Sequence, residues 1–184
     1  MTEATHSQFS ILTIGHSNRS LQDFLGLVHA HGLRRILDVR RYPASRKWPH
    51  FDAAALSDAL SREGIAYSGV PELGGRRKPR PDSRHAAWRE EGFRGFADFM
   101  DTEDFARGLE RVEGLARAER SALMCSEALP WRCHRSLIAD ALVARGWEAL
   151  DVLSAGPPRP HRLPPFARLE GQTVIYDGTG NREP

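Results

Sequence analysis

The chain has 184 residues, 40% of them hydrophobic and 27% charged, with a net charge of +2. Those values suit one globular domain with its own core and exclude a polycation, a disordered tail or a miniprotein built on disulfides. No stretch approaches the ~18 consecutive apolar residues of a membrane span, and MTEATHSQFS lacks the basic-then-apolar plan of an export leader.

In chain order, ILTIG (Ile11 to Gly15) is a short β-branched run ending at glycine and predicts a buried strand. Ser20 and Asp23 then form an S-x-x-D start. Leu21, Phe24, Leu25 and Val28 follow at helical spacing, with Gly32 as the stop. RILDVR (Arg35 to Arg40) predicts a second strand, and Asp52 caps a helix carrying Leu56 and Leu60 that stops near Gly64. IAYSGV (Ile65 to Val70) predicts a third strand. The connection after it, PELGGRRKPRPDSRH, is too rich in Gly, Pro and Arg for regular structure.

A short helix is expected over Phe93 to Met100. A longer one starts at Thr102, with Phe105, Leu109, Val112 and Ala116 on one face. ALMC (Ala122 to Cys125) predicts the fourth strand, RSLIADALVARG an amphipathic helix closed by Gly146, and LDVL (Leu150 to Leu153) the fifth strand. GPPRPHRLPP reads as an extended wrap or linker, and QTVIYDG as an edge strand or half a hairpin.

Strands alternating with helices predict an α/β domain over residues 10–155. It is a three-layer, Rossmann-like parallel sheet, followed by a proline-rich extension over residues 156–184. Right-handed crossovers, with the long helical excursion before the fourth strand, give the expected order 3-2-1-4-5. In such sheets ligands bind beyond the carboxyl ends of the strands where the order reverses. That rule brings GHSNR (Gly15 to Arg19) beside CSE (Cys125 to Glu127).

Polar and ionisable residues gather just past these strands. Cys125, Glu127, Cys133, His134 and His16 are the catalytic candidates: thiols near a helix start, a carboxylate and two imidazoles. Ser17, Asn18, Arg19, Asp38, Arg40, Ser45, Gly74, Gly75 and Arg135 are candidates for holding a substrate or anion. Bland readings stand beside these. Cys125 suits a small core hydrophobe, and Glu127 suits an ion pair with Arg132 or Arg135. Cys125, Cys133 and His134 also form a candidate ligand set for zinc or iron, although their spacing is unlike a structural zinc knuckle.

Two cysteines without a leader indicate free thiols in a reducing cytoplasm. Six basic residues lie between Arg34 and Lys47 against Asp38 alone, and six more between Arg76 and Arg89 against Asp82 alone. Such clusters favour an anionic partner, either a small molecule or nucleic acid, with Trp48 and Trp88 near enough in sequence to stack on bases. LGGRRK resembles a phosphate-approaching turn, yet neither G-x-x-x-x-G-K-[ST] nor G-x-G-x-x-G occurs, and no cofactor is specified.

TIGHSNRS, DVRRYPASRKWPHF, VPELGGRR and ALMCSEALPWRCHR, taken in order, resemble the domain-of-unknown-function 488 family from about Ile11 to Leu153. The resemblance implies an α/β fold of about this size. It marks a shared site at Gly15, His16, Ser17, Asp38, Arg40, Pro43, Ser45, Gly74, Gly75, Cys125, Glu127, Cys133, His134 and Arg135. It implies no activity. Three readings follow: an enzyme acting on an anionic substrate, a metal-binding protein, and a non-catalytic nucleic-acid module.

Overall fold

A computed structural model describes residues 9–180. Residues 1–8, from which most of the leader argument is drawn, and residues 181–184 at the tip of the extension lie outside them. The elements are β1 (Ser10–Gly15), α1 (Leu21–Ala30), β2 (Arg35–Asp38), α2 (Ala53–Arg62), β3 (Ala66–Gly69), α3 (Glu91–Met100) and α4 (Glu103–Ala118). They continue with β4 (Ser121–Cys125), α5 (Arg135–Ala144), β5 (Glu148–Val152), β6 (Arg159–Pro160), β7 (Arg168–Glu170) and β8 (Thr173–Ile175).

The helix starts follow local chemistry. Ser20, Asp52 and Thr102 each accept a backbone N–H of the first turn, which satisfies donors the helix cannot. α1 and α2 are each followed by a glycine at φ +60° and +70°, Gly32 and Gly64, a conformation that ends a helix without a Cβ penalty.

Strands β1 to β5 are parallel, and the sheet order is β3-β2-β4-β1-β5-β6, with β6 antiparallel on the edge. Side chains alternate between the two faces. Leu12, Ile14, Ile36, Ala122 and Met124 pack with Phe24 and Val28 of α1 and Leu56 and Leu60 of α2. Ile11, Leu37, Leu123 and Cys125 pack with Phe96, Leu109 and Leu137 of α3, α4 and α5. The molecule is therefore a three-layer, Rossmann-like α/β fold. No helix among the described residues is long and apolar enough to cross a membrane.

The expected order 3-2-1-4-5 is corrected to 3-2-4-1-5. Apolar patterning marks a strand as interior but does not name its neighbours, and consecutive strands are adjacent only about two-thirds of the time. Specific contacts decide the matter. The hydroxyl of Thr13 donates to Asp151 Oδ1 at 2.6 Å, and Phe9 meets the Trp147 ring at 5.2 Å, which ties β1 to β5. On the other side Arg34 N donates to Arg120 O at 2.8 Å, and Val39 N to Met124 O at 3.0 Å, which ties β2 to β4. The crossover from β1 to β2 skips one position, and β4 fills it. Because β1 and β4 remain neighbours, with α1 leaving to one face and α5 to the other, the crevice stays where the reversal rule puts it.

Beyond residue 155 the chain adds β6 to the sheet and then the β7–β8 hairpin, whose Val174, Ile175 and Tyr176 are buried. The Tyr176 hydroxyl donates to Asp140 Oδ2 at 2.7 Å. His161 bridges Asp140 at 2.8 Å and Asp151 at 3.1 Å through its two ring nitrogens. Burial disfavours the charged ring, but the bonds to Asp140 and Asp151 outweigh it and raise His161 from 6.5 to about 9, while burial pushes the Asp140 carboxyl up. Both ring nitrogens facing carboxylates favour the imidazolium. A raised folded value gives stability that is full below pH 6.5 and is lost as pH rises through about 9. The expected size is about 3 kcal/mol at most. The melting temperature of the wild type should fall across that window and that of His161→Gln should change little; equal slopes would reject the clamp.

Candidate active site

The paired strand ends carry their register into the loops. Gly15 lies opposite Cys125, and beyond it His16 N donates to Cys125 O at 3.1 Å and Ser17 N to Ser126 O at 2.9 Å. A Cβ on Gly15 would sit 1.9 Å from Glu127 O, so only glycine lets the two loops close. GHS and CSE thus lie side by side. Between them and the loop after β2 opens a cleft of about 760 Å³.

Cys125, Cys133 and His134 form its floor. Cys125 ends β4, while Cys133 and His134 lead into α5. His134 Nε2 donates to Val39 O at 3.0 Å, which leaves the Nδ1 lone pair facing the sulfurs of Cys133 at 3.7 Å and Cys125 at 4.0 Å. Gly75 is needed here as well, since a Cβ would lie 2.9 Å from that Nδ1. Both thiols are free. A hydrogen bond from Cys133, with the Arg135 charge, holds the Cys125 thiol well below its usual range against the effect of burial. The same hydrogen bond, with burial, pushes Cys133 up. Of the two, Cys125 is therefore the thiol that ionises first.

His16, Ser17, Asn18, Arg40, Ser45, Gly75 and Glu127 line the walls. Among the described residues only Ser17 (φ 50°) and Arg76 (φ 61°) are non-glycines in the left-handed region, and both line this cleft. Each conformation costs about 1–2 kcal/mol, and such strain concentrates at functional sites. Glu127 accepts from Ala128 N at 3.0 Å, and among the described residues it forms no ion pair with Arg132 or Arg135.

His16 is not poised as a base. Its ring stacks on Phe51 at 4.1 Å, and Nδ1 is 2.9 Å from Ser17 O, so that nitrogen carries the proton. Arg40 Nη1 donates to Nε2 at 3.3 Å. Burial chiefly, with the Arg40 charge adding to it, lowers His16 to about 4. Arg40 in turn directs Nε and Nη2 to the carboxylate of Asp38 and Nη1 to Phe51 O. Asp38 also accepts from the Tyr67 hydroxyl at 2.6 Å. His16, Arg40 and Asp38 form a braced wall rather than an anion clamp.

Four other expected ligand-holding residues take different places. Arg135 is fully buried and donates to Thr13 Oγ1, Glu127 O and Ala128 O, so its guanidinium props the loop from beneath. Arg19 reaches Gly15 O and Leu153 O. Gly74 allows close approach to the Arg41 backbone, where a Cβ would lie 2.5 Å from Arg41 Cα. Asp38 lies behind Arg40. Ser45 both lines the cleft and accepts from Trp48 N at 3.0 Å.

The rim adds residues beyond the expected site set. Arg41, Lys47, Arg76 and Arg132 line the cleft with Tyr42 and Trp48, and among the described residues Glu90 and Glu127 are the only carboxylates lining it. The clustering of charge in Arg34 to Lys47 and Arg76 to Arg89 was the available signal, but only parts of each cluster turn this way. Arg35 pairs with Glu119, and Arg84 with Asp101. Trp88 stacks on Phe93 at 4.7 Å, packs against Phe166 and Tyr176, and does not line this cleft.

Fold and cleft together define an α/β protein whose polar crevice sits at the β1/β4 reversal and is floored by two thiols and an imidazole. The chain belongs to the family described as domain of unknown function DUF488, whose model matches residues 20–142, about two thirds of its length. The matched span includes Cys125, Glu127, Cys133 and His134, and it begins just after the Gly15-His16-Ser17 stretch. No curated protein and no solved structure matches the chain.

Proposed function

We propose that this cleft is the working site and that it takes a phosphate-bearing ligand, a nucleotide or nucleic-acid component, against the Cys125–Cys133–His134 floor. One observation carries the reading. Arg41, Lys47, Arg76 and Arg132 surround the floor, and among the described residues none of them is paired with a carboxylate. Cations without carboxylate partners at the mouth of a crevice attract and hold an anion. Tyr42, 64% exposed, and Trp48 offer rings for a base.

In this reading Arg40 and His16 shape the wall, Glu127 is a proton carrier lining the cleft, and Cys125, Cys133 and His134 together supply the reactive floor. Two adjacent free thiols fit a reducing, cytoplasmic setting.

The test is fluorescence anisotropy with a short labelled single-stranded oligonucleotide, with nucleoside diphosphate as competitor, over a salt series. Arg76→Ala with Arg132→Ala should weaken binding by about tenfold or more, and each lost phosphate contact should reduce the salt slope by about 1. Binding unchanged in the double variant, or no binding of either probe at low salt, would reject the proposal.

A further inference from the structure

We infer that Cys125 Sγ, Cys133 Sγ and His134 Nδ1 ligate one zinc-class divalent cation, leaving a fourth coordination position open to the cleft. The inference rests on the reading of this cleft as the working site and names what its floor holds.

The geometry is already close to a coordination sphere. The three donor atoms lie within 4.8 Å of one another, with sulfur–nitrogen separations of 3.7 and 4.0 Å. With Zn–S near 2.3 Å and Zn–N near 2.05 Å, a tetrahedral sulfur–nitrogen edge is about 3.6 Å. The sulfur–nitrogen edges are within a few tenths of an ångström of that value, and the sulfur–sulfur edge, inside the 4.8 Å limit, closes to about 3.8 Å by rotation of the two cysteine side chains.

The orientation of the imidazole is set before any ion arrives. His134 Nε2 donates to Val39 O at 3.0 Å, the outer bond that metal-bound histidines characteristically make, and it leaves Nδ1 as the free donor. Phe96, 5.1 Å from the ring, and the Gly75 backbone restrict its rotation. The scaffold is rigid as well, because the ligands come from a strand end and a helix start, and the outer carbonyl from the end of the neighbouring strand.

Chemistry selects the ion. Two sulfurs and one nitrogen suit zinc and disfavour magnesium and calcium, which take oxygen ligands. Three protein ligands with an open fourth position characterise catalytic zinc sites, whereas structural sites are closed by four. The open corner faces the basic rim, so an anion held there meets the cation.

The experiment is anaerobic titration of the reduced, chelator-treated full chain with Co²⁺ alone, followed by Zn²⁺. The expected result is one equivalent of cobalt giving a thiolate-to-cobalt charge-transfer band and the visible bands of a tetrahedral site, displaced by one equivalent of zinc. Cys133→Ser and His134→Gln should each weaken cobalt binding by more than about tenfold, and Gly75→Ala, which pushes on Nδ1, by about tenfold. Circular dichroism establishes that each variant is folded.

Absence of the charge-transfer band in the folded wild type overturns the inference. So does a band unchanged in Cys125→Ser and Cys133→Ser. The two proposals fail separately. A missing band with oligonucleotide binding intact removes the metal alone. A normal band in a protein that binds neither oligonucleotide nor nucleotide removes the phosphate ligand alone.

Discussion

Asp38→Ala is expected to cost about 3–5 kcal/mol of folding stability, the range for removing one partner of a buried ion pair. Asp38 is 1% exposed and Arg40 6%, and Asp38 accepts from Arg40 Nε, Nη2 and N and from the Tyr67 hydroxyl. Without the carboxylate the guanidinium stays buried, with Phe51 O and His16 Nε2 as its remaining acceptors among the described residues. Asp38→Asn keeps the shape and loses the charge, so it separates charge from packing and should recover only part of the loss. Replacing both partners by apolar residues of similar volume should recover most of it, because neither charge is then stranded. Urea unfolding, at an unchanged denaturant slope, gives these differences. A loss below about 1 kcal/mol for Asp38→Ala would mean that water already reaches the pair.

The second large effect is expected at Arg135. Arg135→Met leaves the carbonyls of Glu127 and Ala128 and the Thr13 hydroxyl without their charged donor. Hydrogen bonds to charged groups contribute about 1.5–3 kcal/mol each, so a loss of about 3 kcal/mol or more is expected even though methionine fills much of the space. The loop Ser126 to Leu129 should exchange amide hydrogens faster than in the wild type, since its carbonyl anchors are gone. Arg135→Lys should rescue part of the stability, with one ammonium replacing a planar fork. The measurement also separates two roles for this residue. A brace destabilises the protein when no ligand is present. A residue that only clamps an anion would leave the ligand-free protein as stable as before.

Much of the architecture was legible because it follows from local signals. The caps at Ser20, Asp52 and Thr102 and the stops at Gly32 and Gly64 are short-range chemistry, and the strands announce themselves as apolar, β-branched runs. The reversal rule then brought His16 beside Cys125 without any knowledge of contacts. Strand neighbours were not legible, because the Thr13–Asp151 bond that ties β1 to β5 joins residues far apart in sequence.

At the site, residue type pointed to the thiols and His134, but orientation decided the remaining roles. Arg135 and Arg40 read from the sequence as candidates for holding an anion. The fold turns the first under the loop and pairs the second with Asp38. The rim cations were visible only as charge density, since nothing in a sequence says which arginines of a cluster share a wall.

The position of β4 between β2 and β1 has a consequence for synthesis. β1 finds both of its neighbours in the far half of the chain, with Leu12 facing Ala122 on one side and Leu150 on the other. On a ribosome delivering about 5–20 residues per second, it waits several seconds with two unpaired edges. The β2–α2–β3 unit forms from nearby residues and can assemble early. A nascent chain halted before β5 would therefore leave one edge of β1 unpaired and open to other chains. One halted before β4 would have no thiol floor, so the cleft is among the last features to exist.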